Sequence, residues 1–166
     1  MTRYLTTFGA VFALLFSLSP VVSAADLAVC PTDATLLDIT DLFVVGEELS
    51  PGDDGSYQYR IPTTIFPDGI PFGGRDRRQL FVNVNGNISF GGANTNYTPE
   101  AIPGLAQPSI AVFYADVDLR DGLSDANPGR VTICEDVDGS RLLITWHDVY
   151  HFDADRVQAF EHLNTF

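Results

Sequence analysis

Arg130-Val131-Thr132-Ile133-Cys134-Glu135-Asp136-Val137-Asp138-Gly139-Ser140-Arg141-Leu142-Leu143-Ile144-Thr145-Trp146-His147 is the stretch that decides the fold. Asp-Gly between two alternating apolar runs is a strong short-range hairpin signal. A two-residue type I′ turn at Asp138-Gly139 sets a register in which Asp136 faces Arg141 and Ile133 faces Ile144. In the same register Thr132 faces Thr145 and Val131 faces Trp146. Opposite charges, apolar groups and hydroxyls meet across the strands, each pair favourable by about 0.2–1 kcal/mol. Cys134 falls opposite Leu143, on the face away from Ile133 and Trp146, because successive side chains of a strand alternate.

The same grammar extends outward. Turn signals recur at Pro51-Gly52-Asp53-Asp54-Gly55, Pro67-Asp68-Gly69, Asn85-Gly86, Pro103-Gly104 and Pro128-Gly129. Between them lie short runs of Val, Ile, Phe, Tyr and Thr, residues that suit a pleated, half-buried surface. No long 3.6-residue apolar period and no internal repeat interrupts them. The pattern predicts an all-β fold, an antiparallel β-sandwich of short strands and hairpins. A second hairpin centred on Asn85-Gly86 pairs Phe81 with Phe90 and Asn83 with Ile88. That register puts Asn83 on an apolar face, where its amide needs a hydrogen bond, since leaving it unpaired costs about 1–3 kcal/mol. Ile110-Ala111-Val112-Phe113-Tyr114 reads as a further buried strand that delivers Asp116 and Asp118 to its end.

Residues 1–25 read as a secretory signal. Arg3 supplies the positive start, Phe8 to Leu18 the apolar core, and Val22-Ser23-Ala24-Ala25 the small residues for cleavage at Ala24 and Ala25. A membrane anchor over the uncharged stretch from Tyr4 to Ala25 is the alternative; Pro20 breaks that stretch. Residues 26–45 form a lead segment and 46–166 the β domain, and nothing after the signal is long and apolar enough to span a bilayer. In an oxidising compartment Cys30 and Cys134 are expected to pair, with two buried free thiols as the alternative.

The chain has 166 residues, 22 acidic side chains and nine basic ones, all Arg, for a formal charge of -13. Phosphate backbones are bound by neutralising cations, so this balance excludes a nucleic-acid partner. An apolar content of 45% excludes a disordered acidic tail. Seventeen of the acids are Asp, many of them in turns such as Asp53-Asp54-Gly55, Asp68-Gly69, Asp121-Gly122 and Asp138-Gly139. Much of the charge is therefore turn chemistry. The absence of Lys suggests a salt-adapted or GC-rich source.

Asp116, Asp118 and Asp121 form the densest carboxylate group in the sequence. They suggest a Ca²⁺ site, because Ca²⁺ takes hard oxygen ligands, but Arg120 stands where an EF-hand loop has its third ligand and no Glu follows at the twelfth position. Solvated or turn-capping Asp residues at a strand end are the plainer account. The same carboxylates as a glycosidase acid and base would need a separation of about 5–9.5 Å. His147 and His151, with Asp153, Asp155 and His162 nearby, invite a zinc reading. On a strand, however, two residues four apart are about 13 Å from each other and share no metal. Ser89 misses the G-x-S-x-G spacing by one residue. Arg75, Arg77 and Arg78 are a cationic cluster able to grip a carboxylate or sulfate, or simply to be solvated. Asn87-Ile88-Ser89 and Asn96-Tyr97-Thr98 fit the N-glycosylation pattern, which matters only in a eukaryotic secretory pathway.

One ordered series of motifs runs through the chain. Gly52-Asp53-Asp54-Gly55-Ser56 and Phe72-Gly73 precede the segment from Leu80 to Gly91. Tyr97-Thr98-Pro99, Ile110 to Asp118 and Trp146-His147-Asp148-Val149-Tyr150 follow, and Asn164-Thr165-Phe166 closes the chain. This order resembles the NIDO domain, the extracellular module of nidogen, alpha-tectorin and certain mucins, over roughly residues 46 to 166. The resemblance implies a secreted or cell-surface, non-catalytic module of cell–matrix adhesion. Its partners would be an extracellular matrix or cell-surface protein or glycan. The matched positions Asn83, Asn85, Gly86, Asp116 and Asp118 carry over as structural motif residues. Tyr114 departs from the family, which often has Trp there. The family motif continues with Gln and further strands where this chain stops, which implies a native domain extending past Phe166. An exposed sheet edge would then favour association. The alternative is a secreted carbohydrate-active or Ca²⁺-dependent glycan-binding domain using Asp116, Asp118 and Asp121. No cofactor other than Ca²⁺ is suggested.

Overall fold

The computed structural model describes residues 29–46, 48–49, 52–101, 104–120, 129–152, 159–160 and 163–165. The signal segment with Ala24 and Ala25, and also Asp121, Asp153, Asp155 and His162, lie outside them. The fold is all-β. A four-stranded antiparallel sheet runs in the order β1 (Thr35–Asp38), β11 (Arg130–Asp136), β12 (Arg141–His147), β15 (Leu163–Thr165). A six-stranded sheet runs in the order β3 (Glu48–Leu49), β2 (Val44–Val45), β4 (Ser56–Arg60), β7 (Gln79–Asn83), β8 (Asn87–Ser89), β9 (Ser109–Ala111). The ribbon β5 (Ile70–Phe72) with β6 (Arg75–Arg77) and the small sheet β10 (Val117–Asp118), β13 (Val149–His151), β14 (Ala159–Phe160) complete it.

The β11–β12 pairing follows the sequence reading residue for residue, from Asp136 opposite Arg141 to Val131 opposite Trp146. Only the turn differs. Val137–Ser140 form a four-residue loop in which Ser140, at φ 50°, takes the left-handed conformation, so the turn is not type I′. The Asp136 carboxylate draws it in by accepting from the Gly139 amide at 2.8 Å and from Arg141 Nε at 2.6 Å. A four-residue loop keeps the parity of a two-residue one, and the register survives.

The β7–β8 hairpin is one residue out of the expected register. Phe81 pairs with Ser89, Val82 with Ile88 and Asn83 with Asn87. The loop is Val84-Asn85-Gly86, and Gly86 alone takes a positive φ, 70°. This is the three-residue connection with a left-handed last residue, rather than the type I′ turn that needs two such residues. A one-residue slip reverses every side chain. Val82 and Ile88 therefore enter the core, while Asn83 and Asn87 share a polar face rather than an apolar one. Two further expectations change. The strand after Ser109 ends at Ala111, because the next three amides turn onto a single carbonyl. The segment from Trp146 to Tyr150 also breaks at Asp148, φ 48°, into β12 and β13 of different sheets.

The core lies between the two large sheets. Tyr59, Leu80, Val82 and Ile88 of the six-stranded sheet meet Val131, Ile133, Leu142, Ile144 and Trp146 of the four-stranded one, with Val117 and Val149 joining from the small sheet. Tyr59 and Glu135 link the sheets by a hydrogen bond of 2.6 Å. Cys30 and Cys134 are disulfide-bonded across a sequence separation of 104. Trp146 is fully buried, and the Phe113 ring meets it edge-on at 5.9 Å.

Candidate functional site

Three segments distant in sequence converge at one end of the six-stranded sheet: Gly52–Gly55, the Asn85-Gly86 loop, and Tyr114–Arg120. Asn85 joins them. Its Nδ2 donates to Asp54 Oδ1 at 2.7 Å, and its Oδ1 accepts the Val117 amide at 2.8 Å. Beside it the Gly86 carbonyl accepts from the amides of Val112, Phe113 and Tyr114 at 3.0, 3.2 and 3.3 Å. The backbone must pass close enough for those bonds, and any side chain at Gly86 would overlap the Phe113 ring. Asp53 bridges to Asp118, and Leu119 donates to the Gly52 carbonyl at 2.7 Å.

This convergence sorts the carboxylates. Arg120 spans Asp53 Oδ2 and Asp118 Oδ2, each at 2.8 Å, and its own amide donates to Asp118 Oδ1. Asp118, buried, is thereby held by a charged partner. Asp116 instead joins Asp53 and Asp54, the three offering oxygens all within 4.8 Å of one another, a group with the chemistry to hold a hard cation. Partial burial, with Asp54 and Asp53 beside it, raises the Asp116 carboxyl above its usual range, partly offset by His151. Burial raises Asp53 as well, against the pull of Arg120. Like charges so close resist simultaneous ionisation.

Behind this end the outer face of β7 and β8 carries a buried polar ladder. Asn83 Oδ1 accepts from Ser56 Oγ at 2.7 Å and from the Asn94 amide at 3.1 Å. Its Nδ2 donates to Asn87 Oδ1 at 2.8 Å and to Ser89 Oγ at 3.0 Å. Ser89 Oγ in turn donates to the Gly92 carbonyl at 2.7 Å. The segment from Gly92 to Thr98 is thus strapped over the sheet by amide chemistry.

Residues 78–140 match the NIDO family, the nidogen-like domain. No curated protein and no solved structure matches the chain. The NIDO family is extracellular, associated with the extracellular matrix, and non-enzymatic. The matched stretch runs from the start of β7 to the β11–β12 turn. It contains Asn85, Gly86, Asp116 and Asp118 of the convergence and Asn83 of the ladder behind it.

The other candidates scatter. Ser89 is fully buried within the polar ladder of β7 and β8. His147 Nε2 contacts Thr132 Oγ1 at 2.9 Å, whereas His151 lies in the small sheet near Asp116. The Arg cluster divides. Arg77 Nε donates to the Phe72 carbonyl and its guanidinium lies 5.9 Å over Phe90, and Arg78 donates to the Pro67 carbonyl. Among the described residues no helix is long and apolar enough to cross a membrane. The roles of Asp53 and Asp54 beside Asp116 were missed from the sequence. Their only signal was membership of the same ordered motif series.

Proposed function

We propose that the chain is a secreted, non-catalytic adhesion module that recognises an extracellular matrix or cell-surface protein or glycan through its loops and exposed sheet surface. The carrying observation is the NIDO match over the segment whose motif side chains serve to join loops. Asn85 spends its amide on Asp54 and Val117, and Asn83 spends its own on Ser56, Asn87, Ser89 and Asn94. Such residues act as scaffold for a presented surface. Purified protein should be retained by an immobilised matrix, cell-surface or glycan preparation. Hydrolysis of a polymer without any retention would overturn the reading.

The grouping of Asp53, Asp54 and Asp116 favours a second reading, a Ca²⁺-dependent form of the same recognition. It moves the proposed ligands from Asp116, Asp118 and Asp121 to the carboxylates that approach one another. Three oxygens would supply part of the six to eight that Ca²⁺ takes, water or ligand hydroxyls the rest. Calorimetric titration with Ca²⁺ tests it: no heat and no rise in melting temperature removes the metal. An enzymatic reading would require a hydrolytic activity that Asp116→Asn abolishes.

A further inference from the structure

The two N-x-[ST] sequons of this chain lie nine residues apart and meet opposite environments. Asn87 is the middle of a ladder, paired with Asn83 on one side and Ala111 on the other, and is fully buried. Its Oδ1 accepts from Asn83 Nδ2 at 2.8 Å and from Asn94 Nδ2 at 3.3 Å, and its own Nδ2 is enclosed with no partner. A sugar on that nitrogen would have to displace the Asn94 strap and open the β8 strand. Asn96, half-buried, lies on the same strap. Its Nδ2 donates to Glu100 Oε1 at 2.9 Å in an exposed contact, and its Oδ1 accepts the Thr98 amide at 3.2 Å. Tyr97 is 55% exposed and Thr98 is exposed, so the residue that completes the sequon lies at the surface.

We propose that Asn96 is an N-glycan acceptor of this protein and that Asn87 is not occupied in the folded chain. The inference rests on the secreted reading, with a eukaryotic secretory pathway as the route, since the chain must enter a lumen that holds an oligosaccharyltransferase. The donor is a lipid-linked oligosaccharide diphosphate. The bond from sugar C1 to the diphosphate oxygen breaks, a C1–Nδ2 bond forms, and one amide proton of Asn96 passes to the transferase's base. The remaining N–H keeps the donor needed for Glu100. The glycan would stand beside the carboxylate group, because Asn85 Nδ2 donates both to Asp54 and, at 3.4 Å, to the Asn96 carbonyl.

The test is translation of the full chain in the presence of microsomes, with glycosidase digestion and peptide mapping of the disulfide-bonded product. The expected result is one glycan per chain, located on Asn96, absent from Asn96→Gln and from Thr98→Ala. Thr98→Ala keeps the asparagine, so loss there reports the sequon and not a fold defect at residue 96. A translocated, signal-cleaved chain without sugar at Asn96, or a disulfide-bonded chain with sugar at Asn87, overturns the inference. A chain that stays outside the microsomes overturns the secreted reading, and the inference falls with it.

Discussion

Asn83 lies directly opposite Asn87 across the β7–β8 hairpin, its amide nitrogen 2.8 Å from the Asn87 side-chain oxygen. Five other groups also use Asn83: Ser56 and the Asn94 amide donate to its oxygen, and Ser89 Oγ and the Asn87 and Phe81 carbonyls accept from its nitrogen. Replacing it by Leu keeps the volume and strands several of them. At about 1–3 kcal/mol per buried orphan, Asn83→Leu should lower stability by about 3 kcal/mol or more. Ser56→Ala, which removes one spoke, should cost about 1 kcal/mol. Urea denaturation of the two variants checks the ratio.

Gly86→Ala combines a left-handed backbone with a clash against Phe113. The conformation costs about 1–2 kcal/mol and the overpacking about 1–3 kcal/mol. Pairing it with Phe113→Ala should return the overpacking part and leave the backbone part. A double-mutant cycle measures the difference, and full additivity would show that the ring is not the obstacle.

Loss of the Cys30–Cys134 bond should be the largest single effect. A loop of 104 residues corresponds to about 4.7 kcal/mol on the chain-entropy account. Cys30→Ser should show it as a fall in the urea midpoint, and reductant should have no further effect on that variant.

Asp116 and Asp136 should pull the pH profile in opposite senses. The folded-state carboxyl of Asp116 lies above its usual 3.8, first through burial and then through Asp54 and Asp53. Its contribution is therefore full below pH 3.8 and is lost as pH rises through the elevated value. Asp136 lies below 3.8, held by the Gly139 amide and then by Arg141. Its contribution is present above 3.8 and is lost as pH falls through the depressed value. Asp116→Asn should stabilise the protein at neutral pH and remove the decline just above pH 3.8. Thermal melts across pH 3–7 decide it, and an unchanged neutral melting temperature would remove the repulsion argument.

Salt should stabilise the wild type. A formal charge of -13 repels itself in the compact state, and the Debye length falls from about 10 Å at 0.1 M to about 3 Å at 1 M. A melting temperature that falls as NaCl is raised would contradict this and the suggestion of a salt-adapted source.

The β11–β12 register was legible because it depends on neighbours in sequence: every pair from Asp136–Arg141 to Val131–Trp146 follows once the turn is located. The β7–β8 register was not. Asn85-Gly86 has the composition of a two-residue turn, but the Asn85 side chain is committed to Asp54 and Val117, both far along the chain. Nothing local reports that commitment. The resulting slip moved Asn83 from an apolar to a polar face. The carboxylate grouping was hidden for the same reason. Asp116 is two residues from Asp118 in sequence, yet its partners Asp53 and Asp54 are brought in by the Asp53–Asp118 bridge. Strand alternation alone would have kept Asp116 with Asp118. The order of motifs along the chain pointed to the same family whose model matches residues 78–140 despite these local errors, because it does not depend on register.

The Cys30–Cys134 bond also orders events in time. Its first half is made early and its second only 104 residues later, which at roughly 5–20 residues per second leaves the Cys30 thiol waiting about 5–20 s for its mate. During that interval it is available to any other oxidised thiol it encounters. Correct closure therefore depends on an isomerase or on the late docking of β1 against β11, so yield in an unassisted host should track oxidant strength more than chain stability.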